Sequence, residues 1–121
     1  MYTLITDGGN RKAIPYGSFK IVDKYGELVA HKQKVFGYGT SNSAEYFALI
    51  FALQEARRLG IRDIVVLTDS KLMQKQIMGE WQCNHDHLRV ARKHARALLR
   101  EFDSWKINKV SRNIIVAQLG H

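Results

Sequence analysis

The stretch that most constrains the fold is AEYFALIFALQEARRL, Ala44 to Leu59, whose strong helix formers are apolar almost all round until the final turn. Such a helix has no wide face to give to water, so it must be packed between a sheet and another layer. Gly60 follows as its stop signal. Asp63 to Thr68 then reads DIVVLT, a β-branched run without polar alternation, as in a central strand covered on both faces. A strand reached through a helix joins its sheet in parallel, so this pair predicts an α/β fold.

The remaining segments fit around that pair. Tyr2 to Thr6 reads as a strand, Ser18 to Val22 alternates, and Leu28 to Phe36 follows a Tyr25-Gly26 turn, which predicts an antiparallel meander. Ser70 to Met78 is a short helix, Leu88 to Phe102 a longer amphipathic one, Trp105 to Val110 a final strand, and Ile114 to Leu119 a short helix. The order β-β-β-α-β-α-α-β-α predicts a five-stranded mixed sheet with helices on both faces. At 121 residues the chain reads as one domain, 1–121. No apolar stretch approaches the roughly 20 residues of a membrane span, and no signal peptide is visible. Cys83 is the only cysteine. The expectation is therefore a cytoplasmic protein with neither a membrane nor a disulfide-linked partner.

Charge narrows the partner. Lys and Arg number 19 against 11 Asp and Glu, a net charge of +8, and the pI is about 9.8; such a balance in a small domain suits a polyanion, above all nucleic acid. Arg89, Arg92, Lys93, Arg96 and Arg100 fall together opposite the apolar face of the Leu88 to Phe102 helix. That face either meets water or meets phosphates.

Three acidic residues stand at element boundaries. Asp7 closes the first apolar run and precedes Gly8-Gly9, so it is either part of an Asp-Gly hairpin turn or a carboxylate at the end of a core strand. Glu45, in TSNSAEY, can close a capping box with Asn42 at the start of the buried helix. Asp69 directly follows the central strand, where it or Ser70 can cap the next helix. Each has an ordinary structural role when taken singly. Taken together they say more: if the first and central strands are parallel neighbours, Asp7 and Asp69 emerge at one carboxyl edge, where open α/β sheets bind ligands, and Glu45 reaches it from the first helical turn. Crowded carboxylates repel unless a cation cancels them. Hard oxygen donors suit Mg2+ or Mn2+, and carboxylate-held ions in a basic protein suit phosphodiester hydrolysis.

The motifs TDGG, TSNSAEY, VVLTDS and the later GEW and VSR, in this order, resemble a type 1 ribonuclease H over nearly the whole chain. The resemblance implies a ribonuclease H-like fold in which Asp7, Glu45 and Asp69 bind two Mg2+ or Mn2+ ions. It implies cleavage of the RNA strand of an RNA/DNA hybrid, leaving 5′-phosphate and 3′-hydroxyl ends. Gly8 and Gly9 match positions whose backbone lies close to the RNA. Thr40 matches a threonine near a DNA phosphate and Asn42 a reader of ribose 2′-hydroxyls; Ser41, between them, belongs to the same substrate-binding segment. Trp81, in GEW, falls close to where family members present aromatic residues to the DNA strand, or else is a tryptophan at the edge of the core.

The chain departs from that pattern in two places. A short GEWQCNHDHL stretch stands where many bacterial relatives carry a basic protrusion. No acidic residue follows Asp103, although the family has a fourth acid after its last strand, preceded by a mobile histidine loop. Aligned on Arg112, the fourth position falls at Leu119; aligned on a small residue followed by a ligand, it falls at His121, whose imidazole would shift the site toward manganese. An intact first triad points to an active enzyme. The missing acid points instead to a ribonuclease H-like module that holds nucleic acid with little or no cleavage. A resolvase or integrase core on the same fold is disfavoured by the TSNSAE segment.

Overall fold

A computed structural model describes residues 1–120, and the expectation placed on His121 lies outside them. The elements are β1 (Tyr2–Arg11), β2 (Ile14–Val22), β3 (Leu28–Val35), α1 (Ser41–Arg58), β4 (Asp63–Thr68), α2 (Lys71–Ile77), α3 (Asp86–Leu99), β5 (Ser104–Lys109) and α4 (Arg112–Leu119). They form one five-stranded sheet in the order β3-β2-β1-β4-β5. The meander pairs antiparallel, whereas β4 lies parallel to both β1 and β5.

Because strand side chains alternate between faces, β1 divides its neighbours into two layers. Leu4 points into the main core, with Phe19, Ile21, Ile64, Val66 and Ile107 beneath α1, α2 and α3. Ile5 points the other way and packs with Ile115 and Leu119 of α4. The helices therefore cover both faces, as the order of elements predicts. The second cover is partial: Val65 and Leu67 of β4 are half-buried where Ile64, Val66 and Thr68 are buried. The DIVVLT run thus overstates how far the far side of this strand is shielded.

The first hairpin corrects the reading of Asp7-Gly8. β1 runs on through both glycines to Arg11, opposite Ile14, and the two-residue loop is Lys12-Ala13. Lys12 and Ala13 take φ of 51° and 66°, the left-handed region that a tight hairpin with right-twisted strands demands. Asp7 is therefore mid-strand, in neither a turn nor a strand end.

Helix starts are also corrected. Thr40 caps α1 through a capping box with Ser43, so neither Asn42 nor Glu45 serves that role. Ser70 caps α2 by accepting the Met73 N–H at 3.1 Å, which leaves Asp69 outside the cap. The sequence extends α3 to Phe102, but the helix ends at Leu99 and Phe102 is buried just beyond it. No helix among the described residues is long and apolar enough to cross a membrane.

Candidate active site

Parallel register brings two of the acids level. Ile5 pairs with Leu67, and two residues further on come Asp7, still in β1, and Asp69, just past the end of β4. Asp7 is 0% exposed and Asp69 sits at the rim. Glu45 comes from the second turn of α1, since that helix begins at Ser41 rather than Ala44. It is held by the backbone of β1: the Gly8 N–H donates to Glu45 Oε1 at 2.6 Å. One oxygen from each of Asp7, Glu45 and Asp69 can be chosen so that all lie within 4.8 Å of one another. The three acids singled out in the sequence thus form one cluster.

This crowding changes their chemistry. Burial first, then the charges of Asp69 and Asp7, push the Glu45 carboxyl up to about 9. Without a further cation Glu45 thus keeps its proton at neutral pH. Part of the charge is met within the chain: Arg112 Nη1 donates to Asp7 Oδ1 at 2.7 Å and to Asp69 Oδ2 at 3.0 Å. Those two carboxylates raise the guanidinium well above its ordinary range. A set of hard oxygens from three elements, one forced to stay protonated, fits a divalent cation, whose charge would let all three ionise.

Arg112 as a carboxylate partner was not legible in the sequence beyond its place in VSR. Its signal was topological. The strand before it lies parallel beside β4, so the chain leaves β5 at the same edge as Asp69.

The residues expected to meet substrate are arranged along that edge. Thr40, Ser41 and Asn42 are exposed at the start of α1. Asn10 Nδ2 donates to Ser41 Oγ at 3.4 Å, which sets this segment beside the glycine strand. Gly8 and Gly9 are half-buried within β1. Trp81 is 42% exposed, with the Lys71 ammonium 5.7 Å from its ring centroid, so it presents a ring to solvent rather than closing the core. The basic face of α3 is only in part an open surface. Arg96 donates to the Ile77 carbonyl at 3.0 and 2.9 Å, and Arg89 binds Asp86 and the Cys83 carbonyl.

Comparison with known proteins bears on the family and the fold. The profile of the family described as Reverse transcriptase-like matches residues 6–117. Ribonuclease HI of Halobacterium salinarum is 44% identical over 92 residues, covering 76% of this chain and 46% of that one. A bifunctional protein of Mycobacterium tuberculosis is 34% identical over 99 residues, 79% of this chain and 27% of that one. The chain therefore spans about half or less of the curated relatives it matches. Among solved structures, RNase H1 of Halobacterium salinarum superposes with a TM-score of 0.91 at 37% identity, covering 94% of this chain and 88% of that one. LC11-RNase H1 in complex with RNA/DNA hybrid superposes at 0.89 with 22% identity, covering 97% and 90%, a likeness of fold.

Proposed function

The chain belongs to the reverse transcriptase-like family, as a ribonuclease H of type 1, and from that premise we propose that it is a metal-dependent endoribonuclease acting on the RNA strand of RNA/DNA hybrids. The observation that carries the reading is the cluster of Asp7, Glu45 and Asp69, with ligand atoms within 4.8 Å of one another. In this reading these residues hold two ions, Mg2+ or Mn2+. When bound, the ions supply the positive charge against which a water is deprotonated and the 3′-oxygen leaves, giving 5′-phosphate and 3′-hydroxyl ends.

The chain's own groups do the rest. The Gly8 N–H fixes which way Glu45 faces. Complete burial shields Asp7 from competing partners in solvent. The side-chain-free backbone of Gly8 and Gly9 lets the RNA strand approach closely. Asn42 reads the ribose 2′-hydroxyl, Thr40 and Ser41 hold the neighbouring backbone, and Trp81 offers a stacking face to the DNA strand. The hybrid found bound to LC11-RNase H1 supports this substrate class.

A second reading has one specific observation in its favour. Leu119, a candidate position for the family's fourth acid, is packed against Ile5 and Ile115, as suits a hybrid-binding module with weakened cleavage. One experiment separates the two. Labelled RNA/DNA hybrid is incubated with Mg2+ or Mn2+ beside single-stranded RNA, duplex RNA and duplex DNA. The nuclease reading expects cleavage of the hybrid alone, abolished by Asp7→Asn in a protein that still folds and binds. Binding without cleavage in either metal would establish the module instead, and equal cutting of duplex DNA would remove the selectivity.

A further inference from the structure

The carboxyl edge of the sheet carries a second charged feature on the β5 side of the carboxylates. A hollow of about 480 Å3 is lined by Lys71, Gln74, Lys75, Asn108 and Lys109. Its place follows from the topology. Lys71 stands two residues beyond Asp69, and Lys75 follows one turn later on α2. Lys109 is the register partner of Thr68, the residue before Asp69. No acidic side chain lines the hollow. Glu80 reaches Lys75 at 3.2 Å, while Lys71 and Lys109 form no ion pair among the described residues.

Three lysines line one open hollow; Glu80 meets Lys75 and the Trp81 ring lies 5.7 Å from the Lys71 ammonium, but no carboxylate pairs with Lys71 or Lys109 among the described residues. A strand of nucleic acid would supply the anions. Adjacent strands of a sheet lie about 4.8 Å apart, and successive phosphates of one nucleic-acid strand advance about 3.4 Å along the axis. A backbone with one phosphate at the carboxylates thus brings a near neighbour over β5. Lysine meets phosphate as a point charge without reading sequence, and the Asn108 amide adds a neutral donor. We propose that Lys71, Lys75 and Lys109 form a phosphate subsite that holds the nucleic-acid backbone on the β5 side of the cleavage site. The subsite rests on the nuclease reading for its substrate. It extends the footprint along the whole edge, from Asn10 and Ser41 across the carboxylates to Lys109.

The test uses the whole chain in an Asp7→Asn background, so that the hybrid stays intact, with binding followed by fluorescence anisotropy across a salt series. Lys71→Ala/Lys109→Ala lowers the slope of log K against log salt by about one to two, and Lys24→Ala, a single-charge control at the opposite sheet edge, leaves it in place. Glu80→Gln, which releases Lys75, tightens binding more than Asp103→Asn, a charge-matched change away from the hollow. Neutral methylphosphonate linkages are then walked singly along each strand. One linkage weakens the parent and has no further effect on the double lysine variant, and the strand carrying it says whether RNA or DNA occupies the hollow. An unchanged slope, or no linkage whose effect depends on the lysines, overturns the subsite. Failure of the unaltered protein to cut hybrid would overturn the nuclease reading alone, because the salt slope is read without cleavage.

Discussion

The backbone N–H of Gly8, in the middle of β1, donates to Oε1 of Glu45, one turn into α1, at 2.6 Å. This bond exists because the helix crosses the strand with no room for a side chain between them. A Cβ on Gly8 would stand 2.2 Å from the Ala44 carbonyl oxygen and 2.5 Å from the Glu45 nitrogen, both backbone atoms that cannot turn aside. The same approach that packs α1 therefore aims its carboxyl group.

Gly8→Ala is expected to destabilise the protein by about 3 kcal/mol or more, at the upper end of overpacking costs, and to abolish cleavage. Gly9→Ala is the contrast. Its Cβ would meet the Tyr16 side chain at 3.2 Å, so stability should change by less than about 1 kcal/mol. Thermal melts of both variants decide it, and similar melting losses would show that the approach of α1 is not what selects glycine.

Glu45 makes stability depend on pH in a particular direction. In the unfolded chain its carboxyl ionises near 4.5, whereas the metal-free fold keeps the proton up to about 9. Below the lower value the group is neutral in both states. Between the two the unfolded chain releases a proton that the fold retains, so stability falls as pH rises. Chelator-treated protein should therefore show a melting temperature that declines across this window. Glu45→Gln keeps an oxygen for the Gly8 N–H and should remove that part of the decline; parallel profiles for the two proteins would assign the ionisation to another group.

Arg112 competes for the oxygens that a divalent cation needs. It is 51% exposed, so its bonds to Asp7 and Asp69 are discounted for solvent screening to about 1 kcal/mol. Arg112→Ala should lose about that much stability in chelator and bind Mn2+ several-fold more tightly in calorimetry. An unchanged metal affinity would mean that the guanidinium moves aside at no cost.

Much of this was legible in the sequence, for identifiable reasons. The apolar girdle of α1 and the β-branched β4 follow from burial, which side-chain type reports directly. The three acids could be placed together once β1 and β4 were taken as parallel. What escaped was set by pairing at a distance. β1 continues through Gly8-Gly9 because β2 pairs with it to Ile14, and a local Asp-Gly rule cannot see that partner. Thr40 rather than Asn42 caps α1, since two acceptable cap residues stand two positions apart and tertiary approach decides between them. Arg112 and the lysine hollow are assembled from segments far apart in the chain, and their individual residues carry no local signature.

The fourth ligand position is the last question the packing bears on. Leu119, which alignment on Arg112 puts there, is 5% exposed and packs with Ile5 and Ile115, half-buried Leu67 and Val110 completing the cluster. A carboxylate at that point would lie among apolar side chains and lose the contacts that hold α4 to the sheet. Leu119→Asp is therefore expected to cost about 3 kcal/mol and not to raise activity. Gly120 ends α4 with φ of 75°, so the helical path stops there. We propose that His121 provides the fourth ligand, with a softer nitrogen donor that favours manganese over magnesium. His121→Ala should then reduce Mn2+-supported cleavage more than Mg2+-supported cleavage. It should also remove any acid-side loss of activity in the range where imidazole titrates, because only the neutral ring coordinates. Equal activity of the variant and the native protein in both metals, across that pH range, would mean that Asp7, Glu45 and Asp69 suffice.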